Sequence, residues 1–357
     1  MAIVYVITAF IIGLILVLLS IPHVLSVARE KKLYDSFTDD RKIHKQVVPP
    51  LGGVAIFFGF TLSTIASTNG YSFDSLKYIV AASILLFLIG LKDDLVVISA
   101  KMKLIAQLFS AFMVSIIGNL YFTSLHGVFG IYEISPLAGI LLTLFVMVVI
   151  INAFNLIDGI DGLASGLAIL SATVFGVWFY MAEQIPLAIM SFALVGSLTG
   201  FFAYNVFGHK NKLFMGDSGS LVVGLIISTL VIKFNELNIV NSGPFSIHGA
   251  PAVSFVIILI PMIDTLRVMS IRMHQKRSPF SPDNNHIHHR LLTLVPHHLK
   301  VTLIIVFANA ILIVAAFICN DYKFNVNYLF ISFIIIGFAV SAIPMLLIKF
   351  HKKREKS

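Results

Sequence analysis

Cysteine is almost missing from this chain: Cys319 is the only one in 357 residues. That excludes an internal disulfide and any zinc site built on thiolates. Charge is scarce too. Asp, Glu, Lys and Arg make up 12% of the residues, about half the share usual in soluble domains. No hydrophilic segment exceeds about 30 residues, so a length that would allow two domains leaves no separate soluble one. The first apolar run begins at residue 3 with neither a basic region nor a small-x-small cleavage signal before it, and is read as a retained span. No internal repeat is visible, and no basic patch interleaved with aromatics marks a nucleic-acid surface.

What is present is apolar. Hydrophobic residues are 58% of the chain and the mean hydropathy is +0.96. Eleven runs are long enough to cross about 30 Å of hydrocarbon. Their approximate limits are 3–25, 51–68, 77–91, 103–120, 135–152, 160–180, 186–203, 214–232, 250–272, 301–319 and 327–349. The expectation is one all-α polytopic membrane domain over 1–357, with a histidine-rich loop at 273–300 and a basic tail at 350–357. Of the 25 Lys and Arg residues, all but Lys77, Lys233 and Lys323 fall on one set of loops and the tail. The positive-inside rule then puts the N-terminus outside and the C-terminus in the cytoplasm. The net charge of +8 is a topology signal.

The dense polar clusters share the cytoplasmic side as well. The central one is Asn152-Ala-Phe-Asn-Leu-Ile-Asp-Gly-Ile-Asp-Gly-Leu-Ala-Ser-Gly166, between two apolar runs where polar groups are costly. If it is helical, Asp158 and Asp161 share a face, with Asn152 and Asn155 nearby. Gly162 and Gly166 have the spacing of a small-residue packing face, but two aspartates and two asparagines beside them favour a polar site. Arg41-Lys-Ile-His-Lys45 precedes Pro49-Pro-Leu-Gly-Gly53, where bare backbone and basic residues suit a phosphate or pyrophosphate. Lys92-Asp93-Asp94 closes the third run, and adjacent carboxylates at a boundary need a cation. Lys101, Lys103 and Gln107 follow, placed either to bind phosphate or to snorkel.

Phe214-Met-Gly-Asp217-Ser-Gly-Ser220 opens the eighth run, where Asp217 is a helix cap by itself. With Asp93, Asp94, Asp158 and Asp161 on the same side, five carboxylates can converge, and Mg²⁺ is the ion expected for oxygen ligands and phosphates. The late loop holds His286-Ile-His288-His289-Arg290. Zinc lacks a thiolate there, so donors to phosphate or sugar oxygens are the better reading. His297 and His298 show no pattern. Asp264 and Arg267 have the spacing of an intrahelical pair.

Together these residues resemble the polyprenyl-phosphate N-acetylhexosamine-1-phosphate transferases, closest to the WecA/TagO branch that starts bacterial polysaccharide and teichoic-acid lipid intermediates. The matching motifs run in family order from residue 41 to 291, and eleven spans suit that branch. Related phospho-MurNAc-pentapeptide transferases carry Pro-Leu-His-His-His where this chain has His-Ile-His-His-Arg, which argues against a MurNAc-pentapeptide substrate. The resemblance implies transfer of an N-acetylhexosamine-1-phosphate, GlcNAc-1-phosphate foremost, from a UDP-sugar to undecaprenyl phosphate with release of UMP. It implies a bacterial cytoplasmic membrane enzyme with its site on the cytoplasmic face, using Mg²⁺ with Mn²⁺ as a substitute. Its partners would be polyprenyl phosphate, the UDP-N-acetylhexosamine and membrane lipid, and a homodimer is compatible. Asp217, Asp93 and Asp94 would serve metal and phosphates, with His288 and His289 as catalytic donors. Phe214 and Asp161 would meet the uracil, and Lys45, Lys103, Asn152, Asn155, Asp158, His286 and Arg290 would bind substrate. The rival reading is a transporter or flippase of lipid-linked or nucleotide sugars. It calls for paired polar sites at mid-membrane, which the sequence lacks.

Overall fold

The computed structural model describes residues 1–33, 48–68, 71, 73–240, 243–276 and 285–354. Each of the eleven apolar runs is a helix or a helix pair. They are α1 (Ala2–Glu30), α2 (Gly52–Ser67), α3 (Leu76–Leu95), α4 (Ala100–Phe112, continued by a π turn), α5 (Pro136–Ile157), α6 (Leu163–Met181), α7 (Ile185–Phe207), α8 (Gly216–Val240), α9 (Ala250–Ile257) with α10 (Leu259–His274), α12 (His298–Asp321) and α13 (Val326–Arg354). A short helix, α11 (Ile287–Leu294), lies inside the histidine-rich loop. The all-helical expectation needs one addition, a small antiparallel hairpin of β1 (Ser124–Val128) and β2 (Ile131–Glu133) in the loop before α5.

Among the described residues, eight helices are long and apolar enough to cross a membrane, or nine if the α9–α10 pair is one span. The expected count of eleven exceeds this for identifiable reasons. α2 has 16 residues, and α3 ends in Lys92, Asp93 and Asp94. α8 is buried along most of its length, whereas α1 and α13 turn most of theirs outward. α8 is therefore the hub, packed by α2, α3 and α5.

The run 250–272 was expected to be one helix, but it bends by 80° at Ile258. Pro261 explains the break, because it has no N–H to return to the carbonyl of Ile257. That carbonyl accepts instead from the Ser171 hydroxyl at 3.0 Å and the Asn309 amide at 3.0 Å. Inside a membrane protein a released carbonyl must find such partners.

Candidate active site

The central motif is not one helix. α5 ends at Ile157 and α6 starts only at Leu163, after a turn in which Gly162 takes φ +76. Asp158 and Asp161 therefore do not share a helical face; both sit in the turn, where Asp-Gly-Ile-Asp-Gly supplies the residue types that favour one. The consequence is functional: the two carboxylates serve different neighbours.

At the first α residues of α8 the backbones come very close. A side chain on Gly53 would run into the backbone of Ser218 and Gly219, and one on Gly90 into the backbone of Asp217 and Ser218. Gly52 and Gly53 donate to the carbonyls of Phe214 and Met215, each at 2.8 Å. So the bare backbone of the Gly-Gly pair is used for packing against the Phe214–Asp217 segment. The same approach brings the end of α3 to the start of α8. Asp94 accepts from the Asp217 N–H at 2.7 Å, the Ser218 N–H at 3.1 Å and the Ser218 hydroxyl at 2.6 Å. Asp94 thus caps α8 from another helix, satisfying donors a helix N-terminus leaves open.

Asp93 and Asp217 face each other across Lys103. The Lys103 ammonium is 2.5 Å from Asp93 Oδ2 and also contacts Asp217 Oδ2. Asp93 Oδ1 accepts from the Ile98 N–H at 2.7 Å. Asn155 donates to Asp217 Oδ1 and to the Ser220 hydroxyl, each at 2.9 Å. Asn152, one turn earlier, exchanges amide hydrogen bonds with Gln107 at 2.7 and 3.3 Å and donates to the Val148 carbonyl. Among the described residues no three His, Cys, Asp or Glu side chains form a ready metal cage. Asp93 and Asp217 share the Lys103 ammonium, Asp94 caps α8, Asp161 pairs with Lys212 and His298, and Asp158 lies within electrostatic reach of Asp94, Asp161 and Asp217. A pair of all-oxygen carboxylates with positive charge already between them does fit a hard divalent cation that completes its shell with phosphates and water.

Asp161 forms the second cluster. Its Oδ2 lies 2.6 Å from Lys212 Nζ and 2.8 Å from His298 Nδ1. Lys212 also stands over the Phe214 ring, 5.7 Å from its centroid. The Gly162 N–H donates to Asn205 Oδ1 at 2.6 Å, which ties the turn to α7.

The third cluster is the histidine segment. Asp264 of α10 is almost fully buried and accepts from His286 Nδ1, the Ile287 N–H and Arg267, each at 2.9 Å. The Asp264–Arg267 pair is the one the spacing suggested. Arg267 also donates to the Asn285 carbonyl at 2.6 Å, and Arg290 donates to Asn285 Oδ1 at 3.1 Å. These contacts set the start of α11 and place His288 against the central turn. His288 is 1% exposed, and among the described residues neither ring nitrogen has a hydrogen-bond partner. The ring of His289 lies 4.3 Å from that of His288. Burial first, and then the neighbouring histidines, holds His288 down to about 3, so its ring is neutral near pH 7. Asp158 is pushed the other way, up to about 8, by burial and then by the charges of Asp217, Asp94 and Asp161.

Lys45 and the Arg41–Lys45 cluster lie outside the described residues, as do residues 277–284 of the histidine loop. The sequence reading missed Asn205, His298 and Thr302, and it counted Lys212 only as a basic loop residue. None of them stands in a motif; each acts on a partner far away along the chain.

The polar clusters all lie where the ends of α3, α5, α7 and α10 meet the starts of α4, α6, α8 and α12, so they occupy one end of the helix bundle. Fold and site define a multi-pass membrane protein with one-sided polar chemistry. A family model, Glycosyl transferase family 4, matches residues 76–235. The chain is 31% identical over 270 residues to the undecaprenyl-phosphate alpha-N-acetylglucosaminyl 1-phosphate transferase of Escherichia coli O157:H7, covering 74% of this chain and 71% of that one. It is 32% identical over 335 residues to the probable undecaprenyl-phosphate N-acetylglucosaminyl 1-phosphate transferase of Bacillus subtilis (strain 168), covering 93% and 90%. To the Yersinia pestis relative of the same function it is 30% identical over 302 residues, covering 84% and 80%. The chain belongs to glycosyl transferase family 4.

Proposed function

We propose that the protein transfers GlcNAc-1-phosphate from UDP-GlcNAc to undecaprenyl phosphate, releasing UMP, as the first membrane step of a cell-envelope polysaccharide. The site faces the cytoplasm of a bacterial inner membrane, as the basic loops indicate. The observation that carries this reading is the pairing of Asp93 and Asp217 around the Lys103 ammonium at the head of α8. The names of the relatives support undecaprenyl phosphate as acceptor and GlcNAc-1-phosphate as the group transferred, and the motif resemblance supports UDP as its carrier.

An oxygen of the lipid phosphate bonds to the β-phosphorus of the donor, and the bond from that phosphorus to the bridging oxygen breaks, so UMP leaves with the oxygen. A phosphate monoester is largely ionised at neutral pH, and the acceptor needs little help to lose a proton. The chain's task is positioning and charge. Asp217 and Asp93 would hold Mg²⁺, which when bound would supply charge neutralisation for the donor diphosphate. Asn155 fixes Asp217 by donating to its Oδ1. Lys103 brings a positive charge to the same place and is suited to a phosphate oxygen of the donor. His288, neutral and without a hydrogen-bond partner among the described residues, donates to the diphosphate or sugar. Phe214 and Asp161 receive the uracil.

A cavity of ≈ 260 Å³ opens toward the end of the bundle that carries the β1–β2 hairpin, lined by Phe122, Leu125, Val128, Val231, Phe255 and Met262 among others. The test is UMP release by the purified protein. Release should require undecaprenyl phosphate, UDP-GlcNAc and Mg²⁺ together, and a panel of UDP-sugars should rank UDP-GlcNAc first. UMP release without the lipid would overturn the reading.

A further inference from the structure

His298 opens α12 and belongs to no motif, yet it reaches back 137 residues to Asp161. Its Nδ1 lies 2.8 Å from Asp161 Oδ2. One helical turn further on, the Thr302 hydroxyl donates to the Asp161 carbonyl at 2.8 Å. Residues four apart share a helix face, so α12 grips Asp161 by side chain and backbone at once. From the opposite side Lys212 Nζ meets the same Oδ2 at 2.6 Å. Lys212 is itself held in place from α1, where Arg29 donates to the Lys210 carbonyl and to Asn211 Oδ1, each at 2.8 Å. The Asp161 carboxylate is thereby clamped between α12 and the loop that carries Phe214.

His298 Nδ1 lies 3.4 Å from the Asp161 N–H as well, but its 2.8 Å contact is to a carboxylate oxygen that can only accept, and this shorter contact assigns the proton to Nδ1. Lys212 by itself would be a poor clamp, because it is a point charge on a flexible four-carbon stem. The rigid imidazole, anchored at the first turn of α12, supplies direction where the lysine supplies charge.

We propose that His298 is a positioning residue for recognition of the donor base, acting through Asp161. This rests on the reading above that Asp161 and Phe214 receive uracil. Uracil offers an N3–H to a carboxylate, whereas cytosine offers an acceptor at N3, which the carboxylate repels. Discrimination between the two depends on how firmly the carboxylate is aimed, since a buried acceptor left misaligned loses its hydrogen bond. His298 therefore tunes affinity for the uridine part of the donor and leaves the phosphoryl step alone.

The experiment measures kcat, KM for UDP-GlcNAc, KM for undecaprenyl phosphate, and inhibition by UMP and by CMP. It compares wild type, His298→Ala, His298→Asn, His298→Gln and Asp161→Asn. Loss of a hydrogen bond to a charged group corresponds to about tenfold or more in binding. His298→Ala should raise KM for UDP-GlcNAc by that factor and narrow the preference for UMP over CMP, with kcat and acceptor KM within about twofold. His298→Asn should restore both readouts, because its amide sits where Nδ1 does, and His298→Gln should not. An unchanged UMP-to-CMP preference in His298→Ala overturns the inference. If the alanine variant fails to fold, equal behaviour of the Asn and Gln variants overturns it instead. Asp161→Asn separates the two layers. If it leaves the UMP-to-CMP preference intact, the base-contact reading fails. If it abolishes the preference while the His298 variants keep theirs, only the role of His298 fails.

Discussion

His288 Nε2 lies against Gly159 so closely that a Cβ placed on the glycine would come within 2.1 Å of it. The glycine's backbone has no positive φ, so the constraint is space alone. His288 is buried and held by the start of α11, and it has little room to yield.

Gly159→Ala is therefore expected to act as a histidine variant. Displacing a donor of this kind costs about 10²–10³ in kcat. Gly159→Ala and His288→Ala should each show that loss, and the double variant should be no worse than either. Steady-state rates of the three proteins check it. Additive losses in the double variant would mean that the glycine acts elsewhere.

Asp217→Asn keeps the size of the side chain and its hydrogen bond from Asn155 but removes the charge. Transfer should fall at least about 10²-fold at saturating Mg²⁺, with the thermal unfolding midpoint of the detergent-solubilised protein little changed. Lys103→Met removes the ammonium that now lies between the two carboxylates. It should tighten Mn²⁺ binding, read by electron paramagnetic resonance, while lowering kcat.

Asp264 is the foundation of the histidine segment. Asp264→Ala leaves the partly buried Arg267 without its carboxylate and frees His286 and the Ile287 N–H. Removing one partner of a buried ion pair costs about 3–5 kcal/mol, so expression and thermal stability should drop sharply. Asp264→Asn is the more telling variant. It retains an acceptor for the Ile287 N–H and should fold, with kcat lowered and KM for the lipid unchanged.

Asp158 and His288 contribute with opposite signs to the pH dependence of the resting protein without divalent metal. Asp158 has its folded value raised to about 8, so the native state holds a proton that the unfolded state has released, and stability falls as pH rises from about 4 to 8. His288 has its folded value lowered to about 3, so the unfolded state binds the extra proton and stability rises from about pH 3 to 6.5. Burial also holds Asp94 up to about 7, which adds to the decline from about pH 4 to 7. His288 offsets both below pH 6.5, and above about pH 7 Asp158 carries the remaining decline. Asp158→Asn should flatten the decline in melting temperature between pH 6.5 and 8 in EDTA. A slope identical to wild type would show that Asp158 is ionised throughout.

Much of this site was legible because its residues stand in local motifs. Asp93-Asp94, the Asp158–Gly162 turn, Asp217 and the histidine triplet are each a few residues long, and the apolar runs around them fix which end of the bundle they share. What was not legible is who partners whom. Asp94 and Asp93 are neighbours in sequence, yet one caps α8 and the other faces a cation, because Gly53 and Gly90 let three backbones close on the start of α8. Helical continuity through Asp158 and Asp161 was a reasonable expectation from spacing, and Gly162 in the left-handed region overturns it. The break at Pro261 depends on Ser171 and Asn309, 86 and 52 residues from Ile257. His298 gave no signal at all, since its partner is a single aspartate on the far side of α6 to α11.

The central claim is that the bond broken lies between the two phosphorus atoms of the donor, so that the β-phosphate travels with the sugar. UDP-GlcNAc labelled with ³²P at the β-phosphate, incubated with the purified protein, Mg²⁺ and undecaprenyl phosphate, reports this directly. The account predicts ³²P in the butanol-extractable lipid, in equal amount to the GlcNAc transferred, with unlabelled UMP in the aqueous phase. Label appearing in soluble UDP, with GlcNAc alone on the lipid, would contradict it.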